Sequence, residues 1–241
     1  QLANMASSEG MNMRILTAAD IRRAVSMSEA IAAVKTAFAE LSGGQAIVPL
    51  RTSLQTHAHA GIALYMPAYL PTSQSLGVKA VSVYPQNQAR GLPTIFAAVL
   101  LQDPTTGKPI ALLEGTYLTA LRTGAATGAA TDLLARTEAS SLALFGTGGQ
   151  APTQLEGVCA VRPIQTVSVF SRHAGHASSF IERMRSLPFA QKIEFRVALT
   201  PREALATADV IVTATTARAP LFAPSEVAGG AHINAIGSFT P

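Results

Sequence analysis

The chain has 241 residues, 48% of them hydrophobic and only 13% charged, with a formal net charge of +4 and a single cysteine. That length allows two modest domains with a core in each, and charge so far below the usual ~25% implies surface hidden in packing or in a subunit interface, so an oligomer is expected. Lys and Arg are scattered without a basic run, which argues against nucleic acid and suits small anionic ligands; Cys159 alone can form neither an internal disulfide nor a multi-cysteine metal site; and no apolar stretch approaches the ~18 residues a membrane span needs.

Residues 1–10, QLANMASSEG, lack the charged and apolar blocks of a secretory signal, so a cytoplasmic protein is expected. Helical periodicity runs through TAADIRRAVSMSEAIAAVKTAFAELSGG, where Thr17 and Ser26 or Ser28 can cap and Gly43–Gly44 can terminate. Four strand-like runs follow: IVPLRTSLQT, GIALYMPAYL, LGVKAVSVYP and TIFAAVLLQD. They are separated by Pro, Gly, Asn and Asp and read as a mostly antiparallel sheet, with DPTTGKP as a hairpin turn. From TYLTALRTGAATGAATDLLAR onward the pattern alternates helix with the strands SLALFG, TVSVFS, EFRVAL, DVIVTAT and HINAIGS. Repeated βα units predict a parallel doubly wound sheet of Rossmann type. The fold class is thus α/β, with an α+β substrate-binding and dimerisation domain over residues 11–118 and a dinucleotide-binding domain over 119–241.

The first strand of the second domain breaks into Gly146-Thr147-Gly148-Gly149-Gln150-Ala151, a G-x-G-x-x-A turn between a strand and a helix. Gly146 permits the tight turn, Gly148 lets backbone N–H groups approach a pyrophosphate, and Ala151 allows close helix–strand packing, so a dinucleotide is expected there. Pro152 suits the first helical turn. At the end of the next strand Ser171, Arg172 and His173 stand where NAD enzymes place an acid for the ribose hydroxyl. Hydrogen bonds and positive charge favour NADP(H), with NAD(H) as the alternative. Thr213 and Ala214, ending DVIVTAT, complete the expected cofactor contacts.

Three cations interrupt apolar or small-residue runs: Arg51 in VPLRTSL, Lys79 in GVKAVSV and Arg122 in LTALRTGAATGAA. Together they suggest a carboxylate site, because Arg offers a planar fork and a desolvated Lys beside other cations can exchange protons with an amine or imine. Glu114 is a candidate for orienting Lys79 or a substrate amine. His57 and His59, two apart on an expected strand, would share a face but have no further ligand placed by sequence, so no metal is expected.

The segments GVKAVSVYP, GLPTIFAAVLL, LTALRTGAATG, FGTGGQA and HINAIGS, in that order and spacing, resemble the ornithine cyclodeaminase/mu-crystallin family over residues 14–241. The resemblance implies a homodimer built through the N-terminal sheet, a Rossmann lobe carrying the nicotinamide cofactor, and a cleft for a small amino or imino acid. It implies further that Arg51, Lys79 and Arg122 hold the substrate carboxylate, that Lys79 transfers the proton, and that Met66 lines the pocket. Two departures bear on the reaction. Where the cyclodeaminases carry an amine-handling aspartate, an ungapped reading places Phe239, which can neither accept a proton nor pair with ammonium. Family chains also continue past the position of Pro241 into a segment returning to the first lobe. The expected activity is NAD(P)-dependent reduction of a cyclic ketimine such as pyrroline- or piperideine-2-carboxylate. Ornithine cyclodeamination, an alanine-type dehydrogenase and a non-catalytic NADPH-binding protein are the alternatives.

Overall fold

The first helical stretch divides in two because its sequence contains two caps. In the computed structural model, which describes residues 12–237, the Thr17 hydroxyl accepts from Asp20 N–H at 3.3 Å while the Asp20 carboxylate accepts from Thr17 N–H at 2.9 Å. This capping box starts α1 (Ala18–Ala24). Ser26 and Glu29 repeat the arrangement at 3.3 and 2.8 Å and start α2 (Met27–Ser42), so Ser26 is the second cap.

Six strands form the first sheet: β1 (Arg14–Leu16), β2 (Thr52–Thr56), β3 (Gly61–Leu70), β4 (Ser75–Val83), β5 (Ile95–Gln102) and β6 (Pro109–Glu114). Their order is β1-β6-β5-β4-β3-β2. The pairings are antiparallel except that β1 runs parallel to β6. The expected strand IVPLRTSLQT is realised only from Thr52, since Ile47 makes an isolated bridge to Tyr69 and Pro49 follows it. Leu50, at 96% exposed, and the half-exposed Leu54, Tyr65 and Phe96 leave apolar surface on this sheet uncovered.

α3 (Gly115–Leu134) leads into the second sheet. It opens on the Glu114 carboxylate, which accepts from the N–H groups of Thr116 and Tyr117 at 2.8 Å each. It closes on the buried Arg162, whose guanidinium donates to the carbonyls of Thr131, Asp132, Ala135 and Arg136. Those carbonyls lie at a helix end, where intrahelical donors run out, and a charged fork satisfies several at once.

The second sheet is parallel, with β7 (Ser141–Phe145), β8 (Thr166–Phe170), β9 (Glu194–Ala198), β10 (Val210–Thr213) and β11 (His232–Ala235) in the order β11-β10-β7-β8-β9. α4 (Ala151–Cys159), α5 (Ala174–Arg185) and α6 (Pro201–Leu205) connect them. Leu142, Leu144, Val167, Val169, Val210 and Val212 are buried against Leu155, Val158 and Phe180 on one side, and Ala143, Phe145 and Ile211 against Leu205 on the other. A sheet covered on both faces explains the unbroken apolar runs SLALF and VIV.

Two compact units result. Among the described residues, one comprises 12–25 with Thr36–Thr119 and the other Ser26–Lys35 with 120–237. Residues 26–35 thus group with the dinucleotide-type unit rather than with the rest of 11–118. Ile31 packs directly on Gly128 of α3, and Lys35 pairs with Asp132.

Candidate active site

In the parallel sheet the strand order reverses between β7 and β10, and the crevice outside the carboxyl ends of such strands is where ligands bind in doubly wound folds. A cleft of about 770 Å³ opens there, lined by Gly146, Thr147 and Gly148 after β7, Phe170 at the end of β8 with Ser171 and Arg172 after it, and Ala214 to Arg218 after β10. Gly146 has φ +97°, and a Cβ on it would lie 2.3 Å from the Ala214 carbonyl oxygen, so no other residue fits this turn without strain. Gly148 lies outside the left-handed region, and a Cβ there would meet nothing within 4 Å. The space over its backbone is what a pyrophosphate would occupy. Ala151, fully buried, starts α4 beneath the turn, so the positive end of the helix dipole faces the space above it. The residues present therefore suit a dinucleotide.

The far end of the cleft is cationic. His176, Ser179 and Arg183 of α5 join Ser171, Arg172 and Arg218, and no Asp or Glu is among the lining residues. His173 does not line the cleft; it occupies the N-cap position of α5, with its ring 5.2 Å from that of His176, and His176 takes the place expected for it. Arg183 and Arg218 were missed by the sequence reading. His176, Ser179 and Arg183 recur at i, i+3 and i+7, a helical spacing that puts them on one face and was the available signal. Thr213 lies not in this cleft but in an adjoining pocket of about 390 Å³ that shares Thr215, Ala217 and Leu221 with it. Gly149 and Gln150 lie outside the lining.

In the antiparallel sheet Met66 is the Cα partner of Lys79. Thr52 pairs with Tyr65, and carrying that register back one residue sets Arg51 opposite Met66. Arg51, Met66 and Lys79 therefore form one row across three adjacent strands, on one face because directly opposed antiparallel residues point the same way. Met66 and Lys79 are half-buried and Arg51 is exposed. Glu114 belongs to the other face: Lys79 is in register with Val99 and Val99 with Leu113, the neighbour of Glu114. Its carboxyl pKa is raised by burial but more than brought back by hydrogen bonds from Thr116 and Tyr117, leaving it below the ordinary value. It caps α3, correcting the expectation that it orients Lys79. His57 and His59 also depart from expectation, since they form a single 3-10 turn ended by Ala60 at φ +47° rather than a strand face.

Arg122 lies on α3, in the second unit. Its side chain reaches solvent, yet enough protein surrounds the guanidinium that desolvation lowers its pKa, and the group remains a cation at neutral pH. Cys159 ends α4 half-buried, and burial followed by the Glu156 charge pushes its thiol up to about 12, which removes it as a nucleophile. Among the described residues no group of three metal-ligating side chains occurs and no helix is long and apolar enough to cross a membrane. Phe239 lies outside the described residues.

Comparison with known proteins gives the family and the fold. The family model described as "Ornithine cyclodeaminase/mu-crystallin family" matches residues 11–241. A Delta(1)-pyrroline-2-carboxylate reductase of Bacillus cereus is 41% identical over 229 residues, 95% of this chain and 69% of the relative. The structure of the Thermococcus litoralis Delta(1)-pyrroline-2-carboxylate reductase in complex with NADH and L-proline superposes with a TM-score of 0.84 at 44% identity, covering 93% of this chain and 69% of that one. An archaeal alanine dehydrogenase dimer with bound NAD gives 0.82 at 35% identity, covering 92% and 66%.

Proposed function

The chain belongs to the ornithine cyclodeaminase/mu-crystallin family, and from that premise we propose that it is a nicotinamide-dependent reductase that converts a cyclic imino acid, pyrroline- or piperideine-2-carboxylate, to the corresponding cyclic amino acid. The observation that carries this reading is the likeness to the Thermococcus enzyme, 44% identical and solved with NADH and L-proline.

A bound nicotinamide dinucleotide supplies hydride to the Cα of the C=N bond. The side chains supply the rest. Arg51 and Arg122 pair with the substrate carboxylate, Arg by its planar fork. The Lys79 ammonium donates a proton to the ring nitrogen, making the carbon a better hydride acceptor, and recovers it from solvent after turnover. Met66, beside Lys79 in the sheet, offers an apolar contact to the ring. Gly146, Thr147 and Gly148 hold the pyrophosphate, with Gly149, Gln150 and Ala151 shaping the turn, Ala214 beside it and Thr213 serving the cofactor from the adjoining pocket.

We further propose a preference for NADP(H) over NAD(H). It is supported by the cluster of Arg172, Arg183, Arg218 and His176 with no acid in the cleft lining, because a 2′-phosphate adds about two charges that these cations would neutralise. A homodimer formed through the antiparallel sheet is part of the same proposal, supported by the exposed Leu50, Leu54, Tyr65 and Phe96, apolar surface that a monomer would leave in water. A single cysteine suits a reducing cytoplasm. The test is a substrate panel: cyclic imino acids, 2-keto acids with ammonia, and L-ornithine, each with NADPH and NADH or their oxidised forms. The cyclic imino acids with NADPH are expected to give the highest kcat/KM; a higher value for pyruvate with ammonia would replace this reading with the alanine-dehydrogenase one.

A further inference from the structure

Arg122 stands on α3, and the dinucleotide turn leads into α4, which touches α3 backbone to backbone. Two residues beyond Arg122, about 3 Å along the α3 axis, a Cβ on Gly124 would lie 2.2 Å from the carbonyl oxygen of Thr153 in the first turn of α4. One on Gly157 of α4 would lie 2.2 Å from the Gly124 oxygen, and one on Gly128 would lie 2.8 Å from that of Gly157. Such a contact of small residues brings the helices close but has little to stop one sliding or rotating on the other, because dispersion between smooth surfaces is not directional.

A buried polar side-chain pair bridges it. Thr127, 3% exposed, donates its hydroxyl to the Oε1 of Gln154, which is fully buried. Gln154 sits one turn into α4, and its N–H bonds the carbonyl of Gln150, the residue that joins the phosphate turn to the helix, at 3.1 Å. Among the described residues, Gln154 Nε2 and Gln150 Oε1 are buried without a partner. Losing the Thr127 bond as well would leave the whole carboxamide unsatisfied, a penalty that holds the pair at a single register.

The geometry points to Thr127 and Gln154 as a positioning pair, a directional side-chain bond across a close glycine contact that sets where Arg122 stands relative to the dinucleotide turn. The inference rests on the reading of Arg122 as a carboxylate-binding residue. Thr127 touches neither substrate nor cofactor and acts through α3. Its loss weakens recognition of the imino-acid carboxylate while dinucleotide binding, which depends on the turn itself, persists.

The test compares the full-length protein with Thr127→Val, which keeps shape and removes the hydroxyl, Thr127→Ala, which removes it with less bulk should valine impair folding, and Thr127→Ser, which keeps it. Thr127→Val or Thr127→Ala is expected to raise the imino-acid KM about 10-fold with the dissociation constant for NADPH within twofold, and Thr127→Ser to stay within twofold on both. A lower melting temperature with unchanged KM would make the pair merely structural and overturn the inference. So would parallel losses of both ligands. Arg122→Gln separates the two claims. If it leaves KM unchanged, the reading of Arg122 fails; if it raises KM while the Thr127 variants do not, the positioning role alone fails. In the Arg122→Gln background, Thr127→Val is expected to add nothing, and an additive rise would also overturn the role.

Discussion

Two glycines two positions apart in the phosphate turn should fail in opposite ways. Gly146→Ala forces an L side chain to φ +97° and sets its Cβ 2.3 Å from the Ala214 carbonyl oxygen, a backbone atom at the end of β10 that cannot swing aside. Left-handed strain costs about 1–2 kcal/mol and overpacking about 1–3, so roughly 3 kcal/mol of stability should go, visible as a melting temperature lowered by about 6–12 °C. Gly148→Val meets open space and carries no positive φ, so the fold should survive. A phosphate oxygen accepting from this backbone would sit about 2.9 Å from the nitrogen, where an isopropyl group cannot also fit. Affinity for NADPH should fall at least 100-fold, about 2.7 kcal/mol. The chain contains no tryptophan, which leaves the fluorescence of NADPH itself as a clean titration signal beside thermal melts. Near-native NADPH binding by Gly148→Val, with a native melt, would refute the placement of the dinucleotide on this turn.

Arg172→Asp should weaken NADPH more than NADH, and adding Arg183→Gln should widen the difference; an unchanged ratio of the two dissociation constants removes the 2′-phosphate role. Lys79→Ala should reduce kcat by about 100-fold, the scale typical of lost general-acid help, with NADPH titrating as in the native protein, and undiminished kcat would leave protonation to solvent. Asp209→Asn should cost about 2 kcal/mol of stability, because the carboxylate accepts from Ser140 N–H at 3.0 Å, Ser141 N–H at 3.1 Å and the Ser141 hydroxyl at 2.7 Å and pairs with Arg136. Burial raises the Asp209 pKa, but those bonds and the Arg136 charge outweigh it and hold the value below the usual carboxylate range. Its stabilising contribution is therefore complete above the unfolded-state value near 3.9 and is lost as pH falls through the lower folded value. Urea midpoints across pH 2–6 should show a shallower acid limb in Asp209→Asn, and identical limbs would contradict the assignment.

What could be read in advance was whatever short-range chemistry dictates. The G-x-G-x-x-A turn needs its glycines where they stand, and the cap residues Thr17 and Ser26 announce helix starts without reference to the rest of the chain. Apolar runs such as GIALYMPAYL coincide with β3 because alternation and bounding turns are local. What escaped depends on partners distant in sequence. β1 has three residues and exists only because β6 offers it a parallel edge. His57 and His59 lie in a tight turn against the expected strand, beside Thr56, whose hydroxyl meets that of Tyr84, 28 residues away. Glu114 could be placed near the end of a strand but not on a face, since the face follows from register across β4, β5 and β6. Arg218 could not be placed because it lines the cleft together with the phosphate turn, about 70 residues away. The row of Arg51, Met66 and Lys79 was legible as three residues and not as a row, which needed two strand pairings.

The central claim is hydride transfer from a nicotinamide to the Cα of a cyclic imino acid, and isotope transfer tests it most directly. With pyrroline-2-carboxylate and NADPH carrying deuterium at both C4 positions, mass spectrometry should find one deuterium at Cα of the proline formed, one proline for each NADPH oxidised, and no proline from L-ornithine supplied with catalytic NAD. Proline and ammonia from L-ornithine without net consumption of cofactor, or unlabelled proline from the deuterated reagent, would contradict the account.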